Sequence, residues 1–109
     1  MKPNDEILIE TNKRSQSNKR LEELYQTLNQ KTVFRFKTTD HSIIRYLQRV
    51  ELCPVSEARY KILSTLEHYF DTKHDLYEKM KNISFKLQID GIIYVVSKKR
   101  VITVEIVNK

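Results

Sequence analysis

SFKLQIDGIIYVVSKKRVITVEI, residues 84–106, is the stretch whose reading decides the fold. Phe85, Leu87 and Ile89 alternate with Lys86 and Gln88, the period-two pattern of a strand with one buried face. Asp90-Gly91 follows, a favoured pair for a two-residue hairpin turn, and Gly91 is the only glycine in the chain. That turn sets Ile89 opposite Ile92, Leu87 opposite Tyr94 and Phe85 opposite Val96, so one face of the hairpin is wholly apolar. A third strand then puts Ile102, Val104 and Ile106 on one side. For those three to share the face of Tyr94, the second turn must be Lys98-Lys99-Arg100. A shorter turn would bring Thr103 and Glu105 inward. Strands at 84–90, 92–97 and 101–107 therefore form a meander. Its other face carries Lys86, Gln88, Ile93, Val95, Ser97, Thr103 and Glu105. It can serve as a substrate floor, a partner surface, or a face half-covered by the N-terminal helix.

Upstream the period changes from two to between three and four. In residues 17–30, Leu21, Leu24, Tyr25 and Leu28 make a helical stripe that Ser17 or Asn18 can cap, with Glu22 and Glu23 solvated. Residues 32–38 alternate and read as a strand with Phe34 and Phe36 inward. A helix over 41–52 buries Ile43, Ile44, Leu47 and Val50. Pro54 pre-organises the next helix, 55–70, whose stripe is Val55, Ala58, Ile62, Leu66, Tyr69 and Phe70. Residues 71–82 read as a short helix or a charged loop, and 1–16 as a flexible arm or short strand. The expected class is α+β: N-terminal helices packed on an antiparallel sheet with a C-terminal three-strand meander, in one domain over 17–109.

The helix at 41–52 also holds His41, Arg45 and Arg49 at steps of four. Each step advances about 40°, so the three side chains form one ridge opposite the apolar stripe. Asp40 or Thr39 can cap the helix, which sets His41 in its first turn, where free N–H groups and the helix dipole favour a phosphate.

H-x-x-x-R-x-x-x-R on a helix, followed by a second helix and by strands ending in V-x-T-V-like sequence, resembles small ribonucleases of the barnase–EndoU–colicin–RelE superfamily. The nearest local likeness is to phage endoribonucleases of the RegB kind. The resemblance follows the order of elements over residues 33–107, and its specific match is residues 41–49. It implies a metal-independent endoribonuclease of toxin or phage messenger-RNA-regulator type, acting on RNA, free or on the ribosome, with a protein partner or inhibitor. It also makes a second histidine on the following helix, His68, a candidate for proton transfer, although His68 matches no defined motif position. The other reading of His68 is a surface histidine beside Tyr69.

Metal-independent RNA cleavage needs a base for the 2′-hydroxyl, an acid for the leaving oxygen, and cations for the charged phosphorane. His41 is the first choice for acid or base, because an imidazole titrates near neutrality. Arg45 and Arg49 would grip the phosphate at two points each. Glu105 is an alternative base and Lys86 an alternative cation. Tyr94 faces the core, and His74 lies in a solvated charged stretch. The same basic ridge also suits a non-enzymatic protein that binds RNA or a host protein.

Composition narrows the classes. The chain has 109 residues, 39% hydrophobic and 31% charged, which suits one globular domain with one modest core. The net charge is +6. The surplus cations lie in 32–50 (Arg35, Lys37, Arg45, Arg49) and in 84–109 (Lys86, Lys98, Lys99, Arg100, Lys109), a footprint that fits a polyanion. No apolar run approaches the ~20 residues of a membrane helix. MKPNDEILIE carries no signal pattern, so the expected location is cytoplasmic, away from membranes. One cysteine, Cys53, cannot form an internal disulfide and reads as a small residue filling a helix junction. No Cys/His metal cluster is expected, and no cofactor.

Overall fold

A computed structural model describes residues 19–107. The proposed arm at 1–16 lies outside the described residues. Helix α1 covers 19–31. Then come β1 (Lys37–Thr38), α2 (Asp40–Arg49), α3 (Val55–Phe70), α4 (His74–Met80), β2 (Ser84–Ile89), β3 (Ile92–Ser97) and β4 (Arg100–Ile106). The fold is α+β, with helices packed on one face of a four-stranded sheet ordered β1-β4-β3-β2. Residues 74–80 settle as a helix rather than a loop.

The first hairpin has the expected register: Phe85 opposite Val96, Leu87 opposite Tyr94, Ile89 opposite Ile92. Asp90 (φ 51°) and Gly91 (φ 79°) occupy the two left-handed turn positions. The second hairpin differs from expectation. Ser97 pairs with Arg100, so the turn is the two residues Lys98-Lys99 and not three. A bulge corrects the phase: Val96 pairs with Val101 and Val95 with Thr103, leaving Ile102 as the extra residue. Val101 and Val104 are therefore fully buried, while Ile102 is 40% exposed and Ile106 47%. Thr103 and Glu105 stay on the outer face because the bulge, not the turn, absorbs the odd residue.

The sheet is mixed rather than wholly antiparallel, because β1 runs parallel to β4. It is also shorter than the expected strand at 32–38. The Arg35 backbone N–H is taken by the Glu67 carboxylate at 3.1 and 3.2 Å, so residues 32–36 form no ladder. Phe36 is buried against Phe70 (5.4 Å) and Tyr77 (5.7 Å), whereas Phe34 is half-buried with its ring 6.0 Å from Tyr60.

The α3 stripe is as expected at Ala58, Ile62, Leu66 and Phe70, with Leu63 added and Val55 46% exposed. Tyr94, Val96, Val101 and Val104 meet it from the sheet in one core. Helix α1 sits on α3. Asn29 Nδ2 donates to the Ser56 carbonyl at 3.1 Å, and Ser56 Oγ to the Glu22 carbonyl at 2.9 Å. Glu22 is thus not merely solvated: its Oε2 accepts from the Ser56 N–H (3.3 Å) at the start of α3, where Pro54 provides no side-chain cap.

Helix α2 ends at Arg49 rather than at residue 52, and its buried side is Ser42, Ile43 and Tyr46. Ile44 is 50% exposed, against expectation. The reason is where the helix sits. It lies beside the open edge of β4, and a flank position rotates the buried arc away from Ile44.

Candidate nucleic-acid interface

Beyond Val101, β4 has no strand on its outer side, so its edge groups need other partners. Helix α2 supplies them. Thr39 caps the helix, accepting from the Ser42 N–H at 3.1 Å, while the Ser42 hydroxyl accepts from the Thr39 N–H at 3.0 Å. The same Thr39 hydroxyl donates to the Val101 carbonyl at 2.8 Å. At the other end of the helix, Arg49 Nη1 donates to the Val104 carbonyl at 3.0 Å. Two α2 side chains thus pin the helix along the strand edge.

In this docking His41 and Arg49 are exposed and Arg45 is half-buried. His41 is exposed in the first turn, and Arg45 Nε lies 3.4 Å from His41 Nε2. Arg45 Nη1 donates to Gln48 Oε1 at 2.9 Å. Arg45 and Arg49 differ in what they already do. Arg45 is held only by its own helix, whereas Arg49 spends one N–H on the sheet and keeps its other donors. Asp40, in the first turn of α2, is exposed beside His41.

The other candidates are distributed around the fold. His68 lines a groove of about 410 Å³ with Ser64, Thr65, Tyr69, Ile89 and Asp90, at the β2–β3 turn. His41 follows Thr39, which touches Val101 at the opposite end of the sheet. The separation along the strands is roughly 15 Å, from ~3.3 Å per residue. His41 thus stands near the Val101 end of β4 and His68 near the β2–β3 turn. Glu105 projects from the outer face, with its carboxylate 3.8 Å from Lys86 Nζ. Arg35 is already engaged: its Nε binds Glu67 at 2.9 Å and its guanidinium lies 4.3 Å over the Tyr77 ring. His74 is exposed, 3.9 Å from Glu78. Lys37 pairs with Arg100, so these two and Lys98-Lys99 meet at one corner of the sheet, all four exposed.

No family model, curated protein or solved structure matches this chain. Among the described residues, no helix is long and apolar enough to cross a membrane.

Neither Tyr46 nor Tyr94 offers a proton near neutrality. Burial pushes the Tyr94 phenol above its usual range, although its bond to Thr65 opposes this. Burial pushes Tyr46 up as well, and the adjacent Glu51 reinforces it. One arrangement was missed from the sequence. Glu51, Cys53 and Glu57 bring three ligand-type atoms within 4.8 Å of one another. The position is served by an ammonium: Lys61 Nζ lies 2.7 Å from both carboxylates. Burial, then Glu57 and Glu51, push the Cys53 thiol up to about 11, so it is protonated near neutrality. The sequence signal was Lys61 four residues after Glu57 on one helix, but Glu51 joins only across the junction.

Proposed function

We propose that the protein binds RNA through the α2 ridge, with Arg45 and Arg49 on the phosphates and His41 beside them. The observation that carries this is the placement of His41, Arg45 and Arg49 at successive turns of a helix pinned to the β4 edge, with His41 and Arg49 exposed and Arg45 half-buried between them. Guanidinium groups in fixed positions suit planar phosphate recognition, and the clustered positive charge adds a salt-dependent attraction. Binding should weaken steeply with salt, and Arg45→Ala should flatten that dependence. Affinity indifferent to both would refute the reading.

A second reading is cleavage: a metal-independent endoribonuclease of the toxin or phage-regulator type, with His41 as the proton-transfer group. The approach of Arg45 Nε to within 3.4 Å of His41 Nε2 favours it, since a phosphate gripped by Arg45 lies beside the imidazole. The separation of His68 from the ridge weighs against it. The deciding experiment incubates total RNA with the protein in EDTA, with and without ribosomes, wild type beside His41→Ala. Cleavage leaving a 2′,3′-cyclic phosphate, lost in a variant with an unchanged melting temperature, supports the enzyme. No cleavage by a wild type that binds RNA leaves the binding protein.

A further inference from the structure

We infer that the β3–β4 turn is a second phosphate contact, extending the α2 ridge into one cationic track for RNA. The inference rests on the RNA-binding reading above and adds to it.

The described residues include two hairpin turns of the same kind, and they serve as controls for each other. In both, the two central residues have positive φ: Asp90 51° and Gly91 79° in one, Lys98 51° and Lys99 69° in the other. Asp-Gly is what that geometry favours. Two successive lysines are not, because a Cβ in the left-handed region crowds the neighbouring carbonyl. Among the described residues no side-chain contact of either lysine offsets the strain. Both lysines are exposed, so their stems gain little by packing. Among the described residues neither forms an ion pair. Glu78, the carboxylate whose acidity feels Lys99, is bonded to Lys81 at 2.6 Å and faces His74 at 3.9 Å.

The turn is nonetheless held from both sides. Lys98 N–H donates to the Ile83 carbonyl at 3.2 Å, and Lys37 N–H to the Lys99 carbonyl at 2.8 Å. A strained, rigid, doubly charged turn is costly in the free protein and suited to an anion that neutralises it. Its neighbours have the same sign: Lys37 lies across from Arg100. From Lys37 the chain passes through Thr38 and Thr39 directly into α2, so this corner and the ridge follow one another along the β4 edge. Asp40 interrupts the line, leaving two cationic lobes on either side of it. A nucleic-acid backbone can engage both lobes at once, whereas a single small anion can engage only one.

The test replaces Lys98→Asn and Lys99→Gly together, which removes two charges and installs the favoured turn. The expected result is a pair of opposite changes. The melting temperature rises by about 5 °C, since strain is relieved. Affinity for a labelled single-stranded RNA of about 20 nucleotides falls roughly tenfold at about 0.15 M salt, and the salt slope falls by ~1.4, at ~0.7 per phosphate contact. Opposite signs exclude misfolding as the cause. A higher melting temperature with unchanged affinity and slope would overturn the inference. So would a lower melting temperature, which would make the lysines folding residues. Binding lost in Arg45→Ala but untouched by the turn variant overturns this inference alone. A wild type that binds no RNA overturns the ridge as well.

Discussion

Thr39→Ala is the sharpest probe of how the ridge is positioned. One hydroxyl performs two tasks: it accepts the Ser42 N–H at 3.1 Å and donates to the Val101 carbonyl at 2.8 Å. Losing the cap costs about 1 kcal/mol. Losing the half-buried bond to the strand carbonyl costs about another 1 kcal/mol, more if water cannot replace it. The sum is about 2 kcal/mol, which for a domain of this size lowers the melting temperature by roughly 10 °C. Thr39→Ser keeps the hydroxyl and should lie within about 0.5 kcal/mol of the wild type. Urea unfolding followed by far-UV circular dichroism gives the answer, with a lower midpoint and an unchanged slope expected. Because the same bond sets α2 against β4, Thr39→Ala should also weaken RNA binding although Thr39 carries no charge. A Thr39→Ala midpoint within about 0.5 kcal/mol of the wild type would refute the idea that this hydroxyl docks the helix.

Arg45→Ala and Arg49→Ala should both weaken RNA binding, but only Arg49→Ala should also lower stability, by about 1 kcal/mol, since only Arg49 bonds a strand carbonyl. Thermal melts beside binding curves separate the two, and equal melts would undo the distinction. Lys61→Met should destabilise by about 2 kcal/mol, because it strands Glu57, whose side chain is 9% exposed, and Glu57→Gln in the same chain should recover part of that. Bonds to Glu51 and then Glu57 raise the Lys61 ammonium above its ordinary value. The stability from this pairing is therefore fully present below about pH 10.4, the unfolded value, and is lost as pH rises through the higher folded value. The gap between the alkaline melts of wild type and Lys61→Met should narrow as pH rises above about 10.4, and a gap that does not change with pH would show that the charge on Lys61 contributes nothing.

The elements that repeat strongly were legible from the residues alone. The alternation of Phe85, Leu87 and Ile89 with Asp90-Gly91 determined the first hairpin and its register, because a two-residue turn leaves the facing pairs no freedom. The apolar spacing of α3 determined its buried face, since Ala58, Ile62, Leu66 and Phe70 lie on one side of any helix. The helical step of four determined that His41, Arg45 and Arg49 are neighbours. Tertiary structure decided the rest, wherever one group had a choice of partners. The second hairpin had two consistent solutions, a longer turn or a bulge, and burial of Val101 and Val104 chose the bulge at Ile102. The Arg35 N–H had a strand or the Glu67 carboxylate, and Glu67 ended the ladder there. Helix α2 had several apolar arcs, and the open edge of β4 chose Ile43 and Tyr46 over Ile44. The distance between His41 and His68 depended on every one of those choices, because spacing within a helix is local while separation across a sheet is set by the packing of the whole chain.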